Sequence, residues 1–224
     1  MKVFKILALT FSVALYTATI FAQETKLIPL TTNSEKALEL MRTVMANAEE
    51  FRGNDNPSLL EEILRLDPNF YYAKTYNSLL LTDNTIRKNL NNAYENRSNV
   101  SEIEEKIIEA TYEQYINLNT ALADKIIDDL ISTYPDYYQL RLLSADLKND
   151  LKDPYKKDLR YAEILEQNPN SFPALFRRAQ LHFQVDNNTV NFPIEERNSD
   201  LAASYLMKAA SIQPNNPGPQ RFLG

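Results

Sequence analysis

A proline followed at once by Asn or Asp recurs along this chain, and its spacing limits the fold more than any other feature. The pairs are Pro68-Asn69, Pro135-Asp136, Pro169-Asn170 and Pro214-Asn215. Pro68, Pro135 and Pro169 lie 67 and 34 residues apart, two periods and then one. Proline lacks the N–H that a helix interior needs, and its ring clashes with the preceding turn, so each pair marks a place where a helix ends. A period near 34 residues signals a stack of small helical units, each unable to bury its apolar face alone.

The segments between these corners read as helices. Leu38, Leu40, Met41, Val44, Met45 and Ala48 recur at spacings of three and four, which predicts a helix over Ser34–Glu50 with a Thr32/Glu35 capping box. Phe51–Asp55 is a turn containing Gly53, and Asn56-Pro57 reads as an N-cap with proline behind it, opening a helix over Ser58–Leu66. Further helices are expected over Phe70–Leu81, Thr85–Tyr94, Ser101–Ile116 with a Ser101/Glu104 box, Asn119 or Thr120 to the Tyr134 corner, Tyr137–Lys148, Asp153–Gln167, the stretch after Pro169, and Asp200–Ile212. No strand-like alternation flanked by hairpin turns occurs, so the expected class is all-α.

Set in a 34-residue register, the chain resembles the tetratricopeptide repeat family. Repeats then begin near Ala37, Tyr71, Glu104, Tyr138 and Phe172. The family's small eighth position falls on Val44, Ser78, Thr111, Ala145 and Ala179. Ala123, Ala202 and Ala209 match its second-helix alanines, and small residues are needed there because helices crossing at close range leave no room for long side chains. The resemblance implies a right-handed α-solenoid of antiparallel helix pairs, about five of them over residues 34–216. Residues 217–224 would start a sixth that stops mid-helix, as in the N-terminal portion of a longer protein or an end covered by another chain. Two places depart from the pattern. The second repeat lacks both its alanines and a closing proline. The step from Pro169 to Pro214 is 45 residues, with the excess in Asp186–Asn198. That insertion reads as tolerated, since loop closure costs grow slowly with length, or as a functional lip.

Ahead of the helices, Lys2 and Lys5 precede the uncharged apolar run Ile6–Phe21, and Ala22 is a small residue suited to cleavage. Residues 1–22 therefore read as a secretory signal peptide, with an uncleaved anchor as the other reading, and 23–33 as a tether without periodicity. With no cysteine, lipid attachment, disulfides and thiolate chemistry are excluded, and a periplasmic or secreted bacterial protein with no span after cleavage fits best. The net charge of -6 and the absence of a Lys/Arg stripe argue against nucleic acid. Gly53, Gly218 and Gly224 are the only glycines, too scattered for a phosphate-cradling loop, and neither a cofactor nor a metal is expected.

The family resemblance implies a concave face lined by first helices that takes up a protein or peptide. Carried onto this register, its candidate binding residues are Tyr72, Tyr112, Tyr115, Leu142, Asp146, Phe176, Gln180 and Phe183. The alternative for each is packing between neighbouring repeats. The Lys, Asn and Arg clamp with which one subfamily grips acidic chaperone tails has no counterpart here. His182, the sole histidine, stands where the family has Tyr, inside the helix packing, and no nucleophile elbow accompanies it. Acidic neighbours such as Glu104-Glu105 and Asp128-Asp129 point about 100° apart on a helix and read as solvated faces. The expectation is a non-catalytic scaffold that binds proteins or peptides in the cell envelope. Two other readings stay open: the accessory region of a larger exported hydrolase-type enzyme, and a glycan-binding helical-repeat protein.

Overall fold

The computed structural model describes residues 26–78, 84–147, 153–183 and 191–223, and within them the chain is all-α, with eleven helices and no strand. The helices are α1 (Glu35–Glu49), α2 (Asn56–Leu66), α3 (Tyr71–Ser78), α4 (Asn84–Glu95), α5 (Glu102–Tyr115), α6 (Thr120–Thr133), α7 (Tyr138–Leu147), α8 (Pro154–Gln167), α9 (Phe172–Gln180), α10 (Ser199–Ile212) and α11 (Pro217–Leu223). The proposed signal peptide, the end of the helix expected over Phe70–Leu81 and residues 186–190 of the insertion lie outside the described residues.

Local chemistry sets most of the starts. Ser101 accepts from the Glu104 N–H while the Glu104 carboxylate returns to the Ser101 N–H, a complete capping box. Asn119, Asp153 and Asn198 cap α6, α8 and α10 through their side-chain oxygens. Two expected starts differ. Ser34 caps α1 by accepting from the Ala37 N–H, whereas the Thr32 hydroxyl donates to Asp67 Oδ2 at 2.6 Å, an ionised acceptor outside the helix. Asn56 lies inside the first turn of α2 instead of capping it. Its buried amide donates to the Val44 carbonyl and accepts from the Asn47 side chain, tying the start of α2 to α1.

Helices pack chiefly in chain order, α1 on α2, α3 on α4, α5 on α6, α7 on α8 and α9 on α10, with each second helix also meeting the next first one. Val44, Ser78, Thr111, Ala145 and Ala179 are all buried, as are Ala123, Ala202 and Ala209. Short side chains buried between helices leave room for the backbones to approach. Three apolar clusters follow along the chain: one from α1 through the start of α7, one centred on α7 and α8, and one between α9 and α10. The end of α1 also reaches far along the sequence. Tyr138 on α7 donates to Glu49 at 2.6 Å, Asn216 ahead of α11 donates to the Glu50 carbonyl at 2.7 Å, and the Phe51 ring packs on Phe172 and Phe176 of α9. Among the described residues no helix is long and apolar enough to cross a membrane.

Candidate functional site

The segment ahead of α1, expected to be a free tether, is packed against α1, α5 and α7. It has no regular secondary structure, so its backbone polar groups must find partners elsewhere, and side chains supply them. The Ile28 N–H donates to Gln139 Oε1 on α7 at 2.9 Å, and the Ile28 carbonyl accepts from the Arg42 guanidinium on α1. Three residues on, the Thr31 N–H donates to Glu104 Oε1 on α5 at 2.9 Å, and the Thr31 hydroxyl donates to the other oxygen of the same carboxylate. Ile28 is 1% exposed and belongs to the apolar cluster that contains Met41, Ile107 and Leu140. At the outer end, Lys26 lies 3.9 Å from Asp136 and 4.7 Å over the Tyr137 ring.

Two consecutive threonines thus engage two carboxylates. Beyond Thr31 on Glu104, the Thr32 hydroxyl and the Asn33 N–H both donate to Asp67 Oδ2, and the Asn69 N–H donates to Oδ1. Burial alone would raise the Asp67 carboxyl, but the Thr32, Asn33 and Asn69 donors, with Lys74 nearby, hold it below the usual carboxylate range. Glu104 corrects the sequence expectation of a solvated acidic face. It is 0% exposed, because its oxygens are taken up by the Ser101 cap and by Thr31. Burial lowers the Arg42 guanidinium from its ordinary value, with Tyr72 and Glu104 acting in opposition.

The residues picked from the register lie in several environments. Tyr72 and Leu142 are buried in the first and second apolar clusters, and burial, first of all, raises the Tyr72 phenol. Phe176 is buried between Phe51, Phe172 and Phe222, while Phe183 is half-buried and meets Phe222 as well. Tyr112 is half-buried and stacks on Tyr94 at 3.9 Å, with Arg97 over the Tyr94 ring. Tyr115 is exposed at the end of α5, Gln180 is half-buried at the end of α9, and the Asp146 side chain lies outside those described. Phe176 and Phe183 therefore share one aromatic cluster through Phe222. The residues that hold the leading segment, Arg42, Glu104 and Gln139, were not among the register's candidates. Their only advance signal was a buried-type mixture in the segment itself: Ile28, Leu30, the stiffening Pro29 and the hydroxyl pair Thr31-Thr32.

His182 is buried and structural in its contacts. Its Nδ1 accepts from the Asn198 N–H at 3.3 Å at the start of α10, and its ring stacks on Phe192 at 4.9 Å. Burial lowers its pKa, Arg178 adds to the effect and Asp158 opposes it. Comparison of the chain with family models, with curated proteins and with solved structures finds no match.

Proposed function

We propose that this chain is a non-catalytic, exported helical-repeat protein of the tetratricopeptide type, which binds peptide segments of other proteins in the cell envelope. The observation that carries the reading is the seat of residues 26–31. Gln139, Arg42 and Glu104 present side-chain acceptors and donors to backbone groups of a non-helical stretch, while a buried pocket takes one apolar side chain. Pairing with main-chain groups provides general affinity for a peptide, and the apolar anchor provides selection. Packing in chain order and the buried small residues at the register positions support a right-handed superhelix of antiparallel pairs. Export rests on residues 1–22 and is checked by N-terminal sequencing of the mature protein, expected to start at Gln23. Engagement of His182 with the start of α10 favours binding over imidazole catalysis.

The test is to pan a random peptide library on the whole chain. Enriched peptides are expected to lose about tenfold in affinity on Gln139→Ala or Arg42→Ala, the size of one lost buried hydrogen bond, with helicity unchanged. Absence of enrichment, or peptides indifferent to both substitutions, would sink the proposal.

A further inference from the structure

We infer that the seat of residues 26–31 is a receptor site for a foreign peptide of the pattern basic–any–isoleucine–any–apolar–threonine, and that the chain's own leading segment is the tethered competitor occupying it. The inference rests on the peptide-binding reading above and adds to it the chemistry of the partner and the control of access.

Each position of the pattern comes from a contact. A basic residue fits the first place, where Lys26 meets Asp136 and the Tyr137 ring. Leu27 and Pro29 are exposed and impose no choice, whereas half-buried Leu30 packs against the first apolar cluster and calls for an apolar side chain. Ile28 fills the buried pocket, with its N–H and carbonyl held on opposite sides by Gln139 and Arg42. The last place calls for a hydroxyl that donates, because Glu104 is buried and takes both the N–H and the O–H of Thr31. Asp or Glu there would set a second carboxylate against Glu104, so acidic peptides are refused.

Residues 26–31 are held by buried Ile28, half-buried Leu30 and the hydrogen bonds of Ile28 and Thr31, while Thr32 and Asn33 on Asp67 fix the point of attachment. If the segment left an empty site, Gln139 and Glu104 would lose buried partners, an unfavourable state. Exchange for another chain of the same chemistry keeps those bonds. Because the resident segment is covalently attached ahead of α1, it competes at high effective concentration and lowers the apparent affinity of any foreign peptide by the fraction of time the site is free.

The experiment uses the full chain and a fluorescent Lys-Leu-Ile-Pro-Leu-Thr peptide read by polarisation. Ile28→Asp and Thr31→Asp each expel the resident segment, the first from an apolar pocket and the second by facing Glu104. Both are expected to bind the probe at least tenfold more tightly than the parent, with unchanged circular dichroism. A probe ending in Asp in place of Thr should bind none of these chains, and Glu104→Gln should remove that refusal. Folded variants that bind no better than the parent overturn the inference. So does a variant that loses its helicity, since the segment is then a fixed part of the core. A parent that runs as a dimer and becomes a monomer on Ile28→Asp identifies the occupant as a second copy and also overturns it. In each of these cases, library peptides that still respond to Arg42 and Gln139 leave the general peptide-binding reading standing, whereas their absence removes both.

Discussion

Among the described residues, two turns place a non-glycine residue in the left-handed region, and they are put to opposite uses. Phe51 follows α1 with φ 56°, and Leu118 follows α5 with φ 55°. Glycine is the usual occupant after a helix, because any side chain there crowds the backbone. At Phe51 the turn is a Schellman arrangement, the Phe51 N–H returning to the Ala48 carbonyl and the Arg52 N–H to that of Asn47. Its ring lies 4.8 Å from Phe176 and 6.3 Å from Phe172, with Arg177 over one face. Leu118 sits in a turn of similar reach, the Asn119 N–H returning to the Glu113 carbonyl, but its side chain is 79% exposed. The first turn spends backbone strain on a contact between distant parts of the chain. The second carries strain of the same kind with its side chain mostly in solvent.

The largest effect lies on the far side of the Phe51 contact. Phe176→Ala removes the ring that meets Phe51, Phe172 and Phe222 at once and leaves a cavity in a buried position. The expected loss is about 3–5 kcal/mol, read from chemical denaturation. A loss near zero would mean that the α1 end and α9 are held together by something other than this cluster.

The second contact of the α1 end is polar and supplies a smaller, pH-dependent term. Tyr138 donates to Glu49 at 2.6 Å, and burial, followed by the Glu49 charge and that hydrogen bond, raises its phenol pKa. A phenol raised in the folded state keeps its proton where the unfolded chain has lost it. The stability from this pair is therefore fully present below about pH 10 and declines as the pH rises above it. Tyr138→Phe should cost about 1–2 kcal/mol at neutral pH and flatten part of the alkaline decline, the remainder belonging to groups such as buried Tyr72. An alkaline limb identical in variant and parent would remove Tyr138 from the account.

What the sequence made legible follows the range over which each interaction acts. The Ser101/Glu104 box and the Asp153 cap with Pro154 behind it depend on residues three or fewer apart, and both are readable from the string. Burial of several small residues was also readable, since Ser78, Thr111, Ala145 and Ala179 recur at steps of 33 or 34 residues within helical segments. The seat of the leading segment was not. Ile28 and Gln139 are 111 residues apart and Thr31 and Glu104 are 73, and no local pattern links them. Glu104 shows the limit most clearly: its capping role was visible at short range, and its burial, set by Thr31 from far away, was not. Phe51 is a similar case. The turn over Phe51–Asp55 was read as one containing Gly53, yet the left-handed position is Phe51, because helix α1 ends two residues earlier than the glycine would suit.

The smallest expected effect tests the contrast between the two turns most directly, because it reverses sign between them. Replacing a side chain by glycine at positive φ relieves about 1–2 kcal/mol of backbone crowding and costs about 0.5–1 kcal/mol in added freedom of the unfolded chain. At Leu118, where the side chain is exposed and no aromatic partner is lost, Leu118→Gly should stabilise the protein by about 0.5 kcal/mol. Phe51→Gly gains the same relief but loses the ring contacts to Phe172 and Phe176, worth about 0.5–1.5 kcal/mol per aromatic pair, and should destabilise. Alanine at each position separates the two contributions. It keeps the crowding and discards the side chain, so the step from Ala to Gly should be equally favourable at both turns, while the step to Ala should be costly only at Phe51. Unequal Ala-to-Gly steps would show that the two backbones are not strained alike, and that Phe51 owes its conformation to the aromatic cluster as well as to the end of α1.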